Sequence, residues 1–249
     1  MAQLPEPGGP VNGHPEIRAV VFDMDGVIIN SHPAHLAAWK AFLGSVGREV
    51  SDGELSFILE GRTRSEILRR FLGNLPEHEL LEYGKRKDEI FRQMEHEIEA
   101  VPGVVDFIRM LGRRGVVSAI ATSASEIRTV ATIERLGLAE HFETAITSSD
   151  VTAGKPDPMV YRLACERVGV EPGMALAFDD APAGIQSATS AGLRCIGVSS
   201  NGWARRLLET GAERVIPDFI GLSLAALEPL PKPAIQINTK HGCASEHRT

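Results

Sequence analysis

The chain has 249 residues, with 33 acidic against 26 basic side chains and a formal net charge of −7. Its hydrophobic fraction of 43% is too high for a disordered chain, and no apolar run approaches the roughly 18 residues of a membrane span. The acidic balance, with no basic tract, argues against a nucleic-acid partner, because such affinity rests on clustered Lys and Arg. Any phosphate must be bound locally.

Residues 1–15 have neither a basic start nor an apolar stretch and read as a flexible leader rather than a secretory signal. A first buried strand is expected at 17–23 (IRAVVFD). From 31 to 100 there is no strand pattern, only four helical ones. Ser31 is placed as the cap of the first, with Leu36, Trp39, Phe42, Leu43 and Val46 on its inner face. Two capping boxes, Ser51-x-x-Glu54 and Thr63-x-x-Glu66, open the next two helices. The fourth starts near Pro76 and aligns Leu80, Tyr83, Lys87, Ile90, Phe91 and Met94.

Beyond residue 100 strands and helices alternate. Helix 102–111 repeats Val104, Phe107, Ile108 and Leu111, and strand 116–122 follows. Helix 125–136 is expected to bury Val130, Ile133 and Leu136 and to stop at Gly137. Strand 144–147 precedes helix 157–168, which opens with Asp157 as N-cap and Pro158 at the first helical position. Strand 175–179, helix 182–191 and strands 194–198 and 214–216 complete the pattern. This predicts an α/β fold, a doubly wound parallel sheet binding ligands at the carboxyl ends of its strands. The sheet core would be 16–30 and 101–228, interrupted by a helical bundle at 31–100 with hinges at 29–31 and 100–103. Residues 229–249 read as a flexible tail, whose His241, Cys243 and His247 match no standard zinc spacing. With Cys165 and Cys195, Cys243 makes an odd, dispersed set that fits a reducing cytoplasm better than a disulfide framework.

Two strand ends carry paired acids. Asp23-Met24-Asp25-Gly26 ends the first strand, and in an extended segment this spacing puts both carboxylates on one face. Asp179-Asp180 ends the strand at 175–179, where a capping role for Asp180 explains one carboxylate but not four. Converging acids need a hard cation, and an all-oxygen set suits Mg²⁺. Thr122, at the end of the second strand, and the backbone N–H groups that follow can hold phosphate oxygens. Lys155, in the turn Gly154-Lys155-Pro156, can offset carboxylate charge and bind a transferring phosphoryl group. The inference is a metal-dependent phosphoryl site.

Asp23-x-Asp25, Thr122, Lys155-Pro156 and Asp179-Asp180, in this order, resemble the four motifs of the haloacid dehalogenase superfamily, and the insert is similar to the small helical cap of β-phosphoglucomutase and related sugar-phosphate phosphatases. The resemblance covers residues 17–222 and implies a Rossmann-like core. It further implies that Asp23 is the nucleophile forming an aspartyl-phosphate and Asp25 the general acid and base. Magnesium would be held by Asp23, Asp179, Asp180 and the carbonyl of Asp25, with Thr122, Ser123 and Lys155 on the phosphoryl oxygens. An acid at position 25 separates the chain from dehalogenases and phosphonatases, so a phosphate ester or anhydride is expected.

In the insert, His35, Trp39, Arg64 and Lys87 match substrate-reading positions of the β-phosphoglucomutase cap, although Trp39 also fits its helix's core face and the others a solvated surface. In the loop Thr122-Ser123-Ala124-Ser125-Glu126, Ser125 and Glu126 stand where the mutase pattern has lysine and asparagine. An anion at Glu126 in place of a cation nearby would repel a distal phosphate and favour hydrolysis. The expected protein is a cytoplasmic Mg²⁺-dependent phosphatase of a small phosphorylated metabolite, a sugar or polyol phosphate. It is expected as a monomer or weak homodimer with no nucleic-acid or membrane partner. A phosphosugar mutase and a catalytically silent phosphate binder are the alternatives.

Overall fold

The computed structural model describes residues 16–60, 63–199 and 202–227. The leader and the tail with His241, Cys243 and His247 lie outside the described residues.

Six strands, β1 (Ala19–Phe22), β2 (Val117–Ala121), β3 (Thr144–Ile146), β4 (Ala175–Asp179), β5 (Arg194–Val198) and β6 (Arg214–Ile216), form one parallel sheet in the order β3-β2-β1-β4-β5-β6. The helices are α1 (His32–Ser45), α2 (Asp52–Leu55), α3 (Arg64–Leu72), α4 (Glu77–Arg92), α5 (Val104–Arg113), α6 (Glu126–Arg135), α7 (Met159–Val168), α8 (Pro182–Ser190), α9 (Ala204–Thr210) and α10 (Leu224–Leu227). Helices on both faces bury β1 completely, which is why its sequence is continuously apolar. Ala19 and Val21 pack with Tyr161, Ile185 and Ala188 of α7 and α8, whereas Val20 and Phe22 pack with Phe107 and Ile108 of α5. Phe22 stacks on Phe178 at 5.5 Å, with Phe107 and Phe219 against both, so the ends of β1 and β4 rest on one aromatic cluster.

The four helices α1–α4 share a core of Trp39, Phe42, Leu43, Ile67, Leu68 and Leu80. Both capping boxes form, Ser51 with Glu54 and Thr63 with Glu66. The strands leading into and out of this insert run side by side. Asn30 N–H donates to the Glu99 carbonyl at 2.9 Å and Val101 N–H to that of Ile28 at 2.9 Å, an antiparallel bridge pairing Ile29 with Ala100.

Local expectations differ at four points. Ser31 precedes α1 in helical backbone (φ −84°, ψ −9°) without capping it, and its buried Oγ has no hydrogen-bond partner among the described residues. The helix expected from Asp157 starts at Met159, whose N–H donates to Asp157 Oδ1 at 2.9 Å; the aspartate caps from two residues ahead. On α6 the buried face is Thr129, Thr132 and Ile133, leaving Val130 43% exposed. Thr129 can be buried because its hydroxyl donates to the Ser125 carbonyl at 3.0 Å. Finally, α9 and α10 were not expected: each is short and buries one leucine, too little for a visible period.

Candidate active site

In this sheet β1 and β4 are neighbours although their chain connections leave in opposite directions, the crevice where doubly wound folds bind ligands. Phe22 pairs with Phe178, so Asp23 and Asp179 emerge side by side, and Asp23 N–H continues the ladder to the Phe178 carbonyl at 2.9 Å. Lys155, in the loop between β3 and α7, donates to Asp23 Oδ1 at 2.6 Å and to Asp179 Oδ2 at 2.8 Å. Tyr161 of α7, wholly buried, donates its hydroxyl to Asp179 Oδ2 at 2.6 Å. Asp180 is not a helix cap. Its Oδ2 meets His32 Nε2 at 2.5 Å, and the Ala181 N–H at the start of α8 is taken by Asp179 Oδ1 at 3.0 Å. Two glycines make the approach possible. A methyl group on Gly184 would lie 1.9 Å from Asp179 Oδ2, and one on Gly26, which also has φ +77°, 2.2 Å from Asp180 Oδ2.

Burial pushes the Asp23 carboxyl well above its ordinary value; Lys155 pulls it down, and Asp179, Asp180 and Asp25 push it further up. Burial likewise raises Asp180, against the opposing pull of His32. At Lys155 burial disfavours the charge, but Asp179 and Asp23 outweigh it and hold the ammonium protonated well past its usual range. The charge excess suits a hard cation on an all-oxygen donor set. Among the described residues no three His, Cys, Asp or Glu side chains are gathered as a ready ligand cage. Asp23 and Asp179 are turned onto Lys155, and Asp180 onto His32.

Asp25 has different partners. Arg128 of α6 grips it through Nη1–Oδ2 at 2.6 Å and Nη2–Oδ1 at 2.5 Å, and His35 Nε2 lies 3.5 Å from Oδ1. Burial alone would raise the Asp25 carboxyl, but Arg128, with a smaller share from His35, outweighs it and holds the group well below the usual range. Arg128 also donates through Nε to Glu95 Oε1 at 2.9 Å and lies 4.7 Å above the Phe91 ring, which stacks on His35.

A cleft of about 1010 Å³ joins these groups. Asp23, Asp25, Lys155, Asp179 and Asp180 line it from the sheet, and His35, Trp39, Arg64 and Lys87 from the insert. Thr122 is buried at the end of β2 with Oγ1 accepting from Ala124 N–H at 3.1 Å, and Ser123 is exposed on the wall. Trp39 serves both expectations, packing against Phe42 and lining the cleft. Arg64 pairs with Asp88 at 2.9 Å and lies against Gly84. The sequence reading missed Arg128, His32, Glu95 and Tyr161. It also misjudged the loop after β2: Glu126 is exposed and does not line the cleft, whereas Arg128, two residues on, does. The expected repulsion of a distal anion therefore loses its basis.

Lys87 is a buried cation with incomplete compensation. Its Nζ is 3.2 Å from His35 Nδ1, faces the Trp39 and Phe91 rings, and has Asp88 only at 3.6 Å. Burial, helped by Arg64 and Arg128, pulls its pKa from 10.5 to about 8. Below pH 8 both folded and unfolded states are protonated and the folded state bears the full penalty, about 3 kcal/mol. Between pH 8 and 10.5 only the folded state sheds the proton, so this contribution rises with pH. Lys87→Met should raise Tm at pH 7 by roughly 5–10 °C and flatten that rise, as read by thermal melts from pH 6 to 10. An unchanged Tm would place Lys87 in contact with water.

A family model described as haloacid dehalogenase-like hydrolase matches residues 17–192. A phosphorylated carbohydrates phosphatase of Thermotoga maritima is 30% identical over 217 residues, covering 80% of this chain and 94% of that protein. A fructose-1-phosphate phosphatase of Escherichia coli is 31% identical, covering 72% and 95%. The β-phosphoglucomutase of Bacillus subtilis is 26% identical, covering 85% and 94%. Among solved structures, CbbY from Rhodobacter sphaeroides in complex with phosphate superposes with a TM-score of 0.72 at 28% identity, covering 83% of this chain and 96% of that one.

Proposed function

The chain belongs to the haloacid dehalogenase-like hydrolases, and from that premise we propose that it is a Mg²⁺-dependent phosphatase of a small phosphorylated carbohydrate, acting through an aspartyl-phosphate. The observation that carries this reading is Asp23, a buried carboxylate at a strand end in the cleft with Lys155 on one oxygen. The excess of carboxylate over cation at Asp23, Asp179 and Asp180, with Gly26 and Gly184 letting two of those carboxylates approach the backbone closely, fits a magnesium ion. It would be held by those carboxylates and the Asp25 carbonyl. When bound, magnesium supplies positive charge against the phosphoryl oxygens.

Asp23 attacks phosphorus as the ester P–O bond breaks, and Asp25, freed from Arg128 and protonated from solvent beforehand, passes that proton to the leaving oxygen. Asp25 then takes a proton from water, whose oxygen attacks the aspartyl-phosphate, releasing phosphate and restoring Asp23. Lys155 and the Thr122 and Ser123 region steady the phosphoryl oxygens, and the insert shields the acyl-phosphate and reads the sugar.

A phosphosugar mutase is the second reading, favoured by the cation that Arg128 supplies to the cleft. Phosphate release should be followed across a panel of sugar, polyol and sugar-acid phosphates with Mg²⁺. Release from at least one at enzymatic rates is expected. No release, with β-glucose 1-phosphate converted to the 6-phosphate, establishes the mutase instead.

A further inference from the structure

The proposed chemistry leaves Arg128 without a task, although its side chain is among the most constrained in the cleft. It is 16% exposed, its Nε is committed to Glu95 of the insert at 2.9 Å, and its guanidinium carbon lies 4.7 Å from the centre of the Phe91 ring. Those two contacts hold the guanidinium in place independently of Asp25. What remains exchangeable is the fork formed by Nη1 and Nη2, and Asp25 occupies it with both oxygens.

That occupation conflicts with turnover. A carboxylate gripped through both oxygens by a guanidinium fork is held in place as the anion with no proton to give, so Asp25 has to let go before it can act as an acid. Emptying a fork in a poorly hydrated place is unfavourable unless another acceptor enters it. The acceptor seen in the fork is a planar two-oxygen carboxylate, matched bidentately at 2.5 and 2.6 Å; a distal phosphate would meet the same fork only under the mutase reading. Neutral hydroxyls would replace the hydrogen bonds without the charge. The fork opens on the cleft that holds Asp23, and the under-compensated Lys87 lines the same cleft.

We propose that Arg128 is a specificity-determining residue that exchanges Asp25 for a carboxylate on the non-reacting end of the substrate, making phosphorylated hydroxy acids and sugar acids the preferred class. This rests on the phosphatase reading for its chemistry, but the exchange is a binding event and is measured as one. Glu95 keeps the guanidinium oriented while its ligand changes, and Asp25 is released when such a substrate is present.

The test uses 3-phosphoglycerate and glycerol 3-phosphate, which differ in whether a carboxylate or a hydroxymethyl group stands opposite the phosphate. Both are titrated calorimetrically with Mg²⁺ into the full chain carrying Asp23→Asn, so that neither is hydrolysed. 3-Phosphoglycerate should bind at least about 10-fold tighter. Adding Arg128→Ala should bring the ratio to about one while moving the glycerol 3-phosphate affinity by less than about 3-fold. Arg128→Lys keeps a charge but loses the fork and should keep less than half the parent ratio; it decides the matter if the alanine variant does not fold. Equal binding in the parent overturns the proposal. So does a ratio that survives Arg128→Ala, stays at or above half the parent value in Arg128→Lys, or collapses in Lys87→Met instead. Because turnover is not read, absence of phosphate release in the wild type counts against the phosphatase reading alone.

Discussion

Asp23→Asn should abolish turnover, lowering phosphate release from any accepted substrate by at least about 10⁴-fold, the scale expected when a covalent nucleophile is removed. The amide has nearly the same shape and can still accept from Lys155, but it cannot form the acyl-phosphate. The fold should not suffer. Asp23 is 7% exposed, shares one ammonium with Asp179 and is repelled by Asp179, Asp180 and Asp25, so removing its charge relieves repulsion and leaves Lys155 paired with Asp179 at 2.8 Å. Tm is expected at or above the wild-type value without Mg²⁺. Steady-state assays with a thermal melt separate the two effects. Activity within about 10-fold of wild type would overturn the nucleophile assignment, and lost activity with a collapsed Tm would make Asp23 a structural residue.

The core was legible because its physics is local. The β1, β4 and β5 segments are buried on both faces and, apart from Arg194 at the start of β5 and Asp179 at the end of β4, show it as continuous runs without polar side chains, so their positions follow from the sequence. Asp23, Asp25, Asp179 and Asp180 stood out because carboxylates end strands that have no packing use for them. Less legible were residues whose chemistry exists only through folding. Arg128 reads as one more basic residue on an amphipathic helix, yet it grips a carboxylate 103 positions away. His32 looks like an ordinary helix start until β4 brings Asp180 to it. Tyr161 has the spacing of a core aromatic, and only the proximity of β4 gives its hydroxyl a carboxylate. A usable signal for Arg128 did exist: it stands three residues past the Ser125 cap, in the first turn of the helix that leaves β2 at the site. The charge that the start of this helix brings to the cleft is the Arg128 cation, whereas Glu126 is exposed outside it.

Lys155→Met should cost stability as well as activity. Its ammonium is 9% exposed and is the shared partner of Asp23 at 2.6 Å and Asp179 at 2.8 Å, so replacing it leaves two buried carboxylates facing each other. Removing one side of a buried ion pair typically costs 3–5 kcal/mol, which for a chain of this size lowers Tm by roughly 6–20 °C. Tyr161 still donates to Asp179, so the loss should fall short of complete unfolding. An unchanged Tm would mean that Lys155 is not the counter-charge of this site. The magnesium response then tests the assignment of the metal to the same carboxylates. A ligand that binds only the folded state stabilises it by about 2.7 kcal/mol at a hundred times its Kd. If magnesium and Lys155 answer the same negative charge, the Tm gain on adding Mg²⁺ should be larger in Lys155→Met than in the wild type, because more uncompensated charge awaits the ion. Equal gains would place the ion away from Asp23 and Asp179, and the donor set proposed for it would have to be abandoned.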